Sequence, residues 1–129
     1  MKIISPLAVP SGNKKFILNL NNYRNTHYIL LNKAKRNYYY LIKSHLKSLK
    51  GKNYDKAILT YTLYPKSARM TDLDNVISIH QKFFQDALVK ENVIKEDNYK
   101  HIYHNIQKFG AVDKNNPRVE IDINFNILD

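Results

Sequence analysis

Residues 57–90 read AILTYTLYPKSARMTDLDNVISIHQKFFQDALVK, and the chain changes period midway through them. Ala57 to Tyr64 is rich in aliphatic, Thr and Tyr side chains, which suit a pleated, half-buried surface. It ends at Pro65, which cannot donate to a ladder, so it is predicted as a strand. Lys66 to Thr71 is a polar loop. From roughly Asp74 to Lys90 the period becomes helical. At about 100° per residue, Val76, Ile77, Ile79, Phe83, Phe84, Ala87 and Leu88 fill one broad apolar arc. Asn75, Ser78, Lys82 and Asp86 form a stripe opposite it. A strand, a basic loop and an amphipathic helix thus form the middle of the fold.

Downstream, Tyr99 to Phe109 is predicted as a strand, followed by a loop containing Gly110, Asn115, Asn116 and Pro117. Val119, Ile121, Ile123, Phe125 and Ile127 then alternate with polar residues and predict a final strand with one buried face. Upstream, Lys14 to Leu20 reads as a strand, with Phe16, Leu18 and Leu20 alternating against Ile17 and Asn19. His27, Leu30, Leu31, Ala34, Tyr38, Leu41, Ile42, His45, Leu46 and Leu49 predict one long amphipathic helix, which Gly51 and Asn53 stop. Tyr38, Tyr39 and Tyr40 span about 200° of that helix, so at least one is expected to be exposed or at a subunit interface. The expected order is β-α-β-α-β-β in a single domain over residues 1–129. A mixed sheet with both helices packed on it makes the class α+β.

The charge balance narrows the function. Among 129 residues, 21 Lys and Arg face 11 Asp and Glu, a formal net charge of +10. That excess favours a polyanion, because each phosphate neutralised releases a counterion. Ribosomal, DNA-binding and membrane-surface proteins all share such a balance. There is no cysteine, which excludes disulfides and thiolate metal sites. Met1 to Pro10 is a poor secretory signal, broken by Pro6 and Pro10, and no apolar run reaches membrane-spanning length. A cytoplasmic protein with no membrane partner is expected.

Carboxylates are the minority charge, so their clustering matters. Asp72-Leu73-Asp74-Asn75 sets two acids where a basic loop meets a helix, and Glu96-Asp97 follows that helix. Mg2+ takes oxygen ligands, often one or two carboxylates with water and substrate phosphate. A bound cation polarises a scissile phosphate and generates hydroxide at neutral pH. Acids that hold metal amid bases that hold a backbone are what phosphodiester hydrolysis requires. The alternative is that Thr71 or Asp72 caps the helix and that the first-turn acids merely complement its dipole.

The run from Thr71 to Ile102, TDLDNVISIHQKFFQDALVKENVIKEDNYKHI, resembles the central motif of RusA-like Holliday junction resolvases, the crossover junction endodeoxyribonucleases. Their pattern is D-x-D-N, a helix carrying a Lys and then D-A-L, and a D-D or E-D pair before the next strand. The matching residues are Asp72, Asp74 and Asn75, then Lys82 and Asp86-Ala87-Leu88, then Glu96-Asp97. The match covers about a quarter of the chain. The resemblance implies that Asp72, Asp74 and Asp97 are catalytic acids holding Mg2+, with Mn2+ able to substitute. It also implies a homodimer that nicks paired strands of a four-way junction in DNA recombination and repair. One departure concerns the helix Lys. The family's place for it, four residues after the second Asp, is Ser78 here. Lys82 lies one turn later, which keeps its facing but moves the ammonium by about 5 to 6 Å. Lys82 is then either an active-site clamp or a solvated partner of Asp86.

Candidate DNA contacts are Tyr23 and Arg24 before the first helix, Lys33 and Arg36 on it, Lys66 and Arg69 (with the Ser67 hydroxyl) before the acids, and Asn75 beside them. Arg24 and the helix lysines can equally belong to a solvated face, with Asn25 or Thr26 as cap. His27, His45, His80, His101 and His104 are expected to be structural; His101 and His104 are three apart in a predicted strand and face opposite sides. Glu120 and Asp122 fall on the outward phase of the last strand. Three functions remain in competition: a junction-resolving endonuclease, a non-catalytic nucleic-acid-binding protein, and a metal nuclease acting on another branched DNA or on RNA.

Overall fold

The computed structural model describes residues 1–69 and 71–126 and has one α+β domain. Its elements are β1 (Lys2–Ser5), β2 (Ala8–Ser11), β3 (Lys14–Ile17), α1 (Leu20–Asn25), α2 (Tyr28–Lys43), β4 (Ala57–Tyr64), α3 (Leu73–Lys90), β5 (Ile102–Phe109) and β6 (Arg118–Asn124). A single 3-10 turn, Ser44–Leu46, extends α2. The main sheet runs β1-β6-β4-β5 and is mixed: β4 and β5 are parallel, while β6 is antiparallel to both β1 and β4. β2 and β3 form a separate antiparallel hairpin.

One face of the sheet carries the core. Ile3, Leu59, Tyr61, Leu63, Val119, Ile121 and Ile123 are buried there, against Ile42 and Leu46 of the α2 segment and Ile77, Phe84 and Leu88 of α3. The opposite face, with Ile4, Thr60, Thr62, Glu120 and Asp122, is only partly covered or open. The alternation read in β4 and β6 is therefore a difference between a packed and a wet face. The apolar arc of α3 packs inward as expected, and Gln85 joins it.

Several expectations need correction. The stretch Met1–Pro10, with its two prolines, holds most of β1 and β2, which sequence patterning missed because each strand is only four residues long. The strand expected over Lys14–Leu20 ends at Ile17, because Asn19 caps α1 by accepting the Asn22 N–H at 2.8 Å. That short helix was not expected either. The long helix starts at Tyr28 with His27 as cap, in place of Asn25 or Thr26. It becomes a 3-10 turn before the stop, where Gly51 and Asn53 adopt φ of 76° and 52°. β5 begins at Ile102, not at Tyr99, so His101 precedes the strand; its ring bonds the Asp55 carbonyl at 2.7 Å. Ile127 lies outside the described residues. The three consecutive tyrosines divide as expected: Tyr38 is buried, Tyr39 half-buried and Tyr40 is 58% exposed.

A buried polar triad ties three elements together. The Ser5 hydroxyl of β1 lies 2.6 Å from Tyr38 Oη of α2 and 2.6 Å from His80 Nδ1 of α3. Burial lowers the His80 pKa to about 3, so the ring is neutral. Structural use of this histidine was expected; its partners could not be read in one dimension.

Candidate nucleic-acid and metal site

The parallel β4–α3–β5 connection decides where the acids go. The chain leaves the top of β4 through the basic loop, so α3 begins at that end and runs back down. Asp72 caps α3: its Oδ1 accepts the Asp74 N–H at 3.1 Å. The capping alternative is thus observed, and it leaves the second oxygen of this exposed carboxylate uncommitted among the described residues. Asp74, in the first turn, accepts the Gln107 side-chain amide of β5 at 3.2 Å.

Tertiary packing also delivers α1 to this end. Arg24 and Asn21 line one open recess, of about 510 Å³, with Asp72 and Asn75. Two candidate DNA contacts and one candidate metal acid therefore meet, although Arg24 is far from the others in the chain. On the other side, Ser67 and Arg69 border a mostly apolar recess of about 370 Å³ together with Leu63, Leu73 and Phe109. Lys66 and Arg69 are exposed in the loop that precedes the acids.

Asp97 goes elsewhere. It shares two recesses with Asp86, near the far end of α3. From Asp74 to Asp86 is about 18 Å along the helix axis. Among the described residues, no group of three or more His, Asp or Glu side chains is gathered closely enough to hold a metal ion. Asp72 borders the recess at the start of α3, while Asp97 borders the recesses that Asp86 lines. The Asp72 and Asp74 pair by itself suits a cation that keeps water and substrate phosphate as its remaining ligands.

The Asp86–Asp97 end is crowded with cations. Arg36 and Lys35 of α2 line one recess there, of about 500 Å³, with Tyr39 and Lys90. Lys82 and Tyr23 line the other, again with Lys35. Partial burial and the negative charge of Asp97 hold the Asp86 carboxyl above its ordinary pKa, while Lys35, Lys82 and Lys90 pull it down. Lys82 Nζ lies 5.8 Å from the Tyr23 ring centroid and Lys35 Nζ lies 5.6 Å from it, so Lys82 faces the aromatic ring and the acids together. Lys33 is exposed on α2.

Sequence reasoning missed Gln85, Asn105 and Gln107, while Lys35 belongs to the helix face it read as a possible backbone contact. Gln85 donates to Asn105 Oδ1 at 2.7 Å, and with the Asp74–Gln107 bond it makes a polar seam between α3 and β5. Asp86 was visible in the polar stripe of the helix, but nothing in the pattern tied the β5 amides to Gln85 and Asp74. Among the described residues, His27, His45, His101 and His104 belong to no group of three or more His, Asp or Glu side chains that could hold a metal ion. In comparisons with known proteins, no family model matches the chain. No curated protein matches it either.

Proposed function

We propose that the chain is a Mg2+-dependent endonuclease that cuts branched DNA, resolving four-way junctions in recombination and repair, and that it acts as a homodimer. The observation that supports this most is the meeting of Arg24, Asp72 and Asn75 in one recess, with Asp74 beside it at the start of α3. Asp72 and Asp74 would hold the cation, with Mn2+ able to replace Mg2+. The cation supplies charge neutralisation at the phosphate and a hydroxide near neutral pH. Arg24 would grip an adjacent phosphate with its planar fork. Lys66 and Arg69 approach from the preceding loop, and Lys33, Arg36 and Lys82 offer further backbone contacts along α2 and α3. Cutting two strands symmetrically needs two sites, and a closed twofold is the commonest way to supply them.

A second reading has an observation of its own. Asp72 does cap its helix, and Asp97 stands apart from Asp72 and Asp74, as in a nucleic-acid-binding protein without catalysis. No helix among the described residues is long and apolar enough to cross a membrane. A cleavage panel separates the possibilities: four-way junction, flap, duplex and RNA, each with Mg2+ and with chelator. Junction nicking that requires the cation is expected. Cutting only of flaps or RNA would move the substrate, and no cutting at all would leave the binding protein.

DNA binding by a chain of net charge +10 should depend steeply on salt. With roughly six phosphate contacts, log affinity falls against log salt with a slope near −5. Arg24→Ala should make that slope shallower by about one, in fluorescence anisotropy from low to physiological salt. A flat dependence would remove the electrostatic argument.

A further inference from the structure

β5 is the outer strand of the main sheet, and among the described residues no strand pairs with its far edge. The Gly110 N–H bonds the Leu63 carbonyl at 2.9 Å, which turns the main chain of this parity toward β4. By alternation, the N–H and C=O groups of Asn105, Gln107 and Phe109 point outward, unpaired. Proteins usually blunt such an edge with proline, a bulge or several charges. Here the register shift lies at the very start of the strand, and Lys108 is the only charge from Asn105 to Phe109. Ile106 is 40% exposed and Phe109 58%.

The side chains decide which strand fits. Gln107 spends its Nε2 on Asp74, and Asn105 Oδ1 accepts from Gln85. Asn105 Nδ2 is left as a donor and Gln107 Oε1 as an acceptor with no bond of their own among the described residues. An antiparallel copy of β5 centred on Ile106 sets Asn105 opposite Gln107 of the second copy, and the reverse by symmetry. Donor then meets acceptor twice, at positions whose outward main chains exchange both of their bonds. Ile106 faces its own counterpart on the open face of the sheet, and Tyr103 stands opposite Phe109. Shifting by one residue would put side chains on the wrong faces, and centring on Asn105 would set Ile106 opposite His104 in place of its own counterpart.

We infer that a second copy of this chain adds to the sheet through β5, antiparallel and centred on Ile106. This rests on the homodimer part of the proposed function and gives it a surface. The test uses the full chain without DNA or metal. Sedimentation equilibrium should report twice the chain mass of 15.2 kDa for the native protein. Ile106→Lys and Ile106→Glu each set like charges face to face and should sediment as monomers, while an equal mixture of the two should regain the doubled mass. Amide exchange at Asn105 and Gln107 should be slow in the native protein, which keeps the inference testable even if a variant fails to fold. A monomeric native protein, variants that stay dimeric alone, a mixture that stays monomeric, or rapid exchange at both amides would each overturn it. Junction cleavage is measured separately. A native monomer that still cuts rejects this surface and spares the nuclease; a β5 dimer that never cuts does the reverse.

Discussion

Asp74→Asn is expected to lower divalent-metal-dependent cleavage of a four-way junction at least about a hundredfold, which is about 2.7 kcal/mol of transition-state stabilisation. The substitution keeps size but removes a charge that the cation needs. Asp72→Asn should do the same, and here the structure makes the experiment cleaner. Asp72 is the cap of α3. Asn caps about as well as Asp, so its melting temperature should not move. Activity lost without stability lost isolates the metal role from the capping role. Asp97→Asn, beside Asp86 and away from Asp72 and Asp74, should lower cleavage far less than either. Junction binding should survive or tighten in all three, since a negative charge facing phosphates has gone. Full cleavage by Asp72→Asn or Asp74→Asn would end the nuclease assignment.

Acid should unfold this protein by way of His80. Its folded pKa is about 3, lowered by burial against the ordinary 6.5. The unfolded chain therefore binds this proton more readily, so the stability is whole above pH 6.5 and is lost as pH falls toward 3. The loss is about 2 kcal/mol by pH 5 and approaches about 5 kcal/mol near pH 3. Among the described residues His80 Nε2 has no hydrogen-bond partner, so no acceptor there welcomes the imidazolium. Urea midpoints from pH 7.5 to 4.5 should fall steeply in the native protein and more gently in His80→Gln, which cannot titrate. The comparison subtracts the general repulsion of a +10 chain. Parallel profiles for the two proteins would show that His80 does not stay neutral in the fold.

Sequence alone determined the parts of this protein that repeat a local rule. β4 was legible at both ends, because alternation and Pro65 act within a few residues. The body of α3 was legible because an apolar arc must be buried whatever it meets. The same holds for β6, whose two phases face a core and water. The candidate acids Asp72 and Asp74 were legible as a pair, since adjacent positions at a helix start stay together in any fold. Tertiary structure decided the rest. It brought Arg24 of α1 to Asp72, bonded Asp74 to Gln107, and put Ser5 and Tyr38 on His80. It also sent Asp97 to Asp86, because α3 runs its full length away from Asp74 before the chain turns. Those outcomes depend on which elements pack together, and a hydrophobic pattern specifies the face an element buries without naming its neighbour.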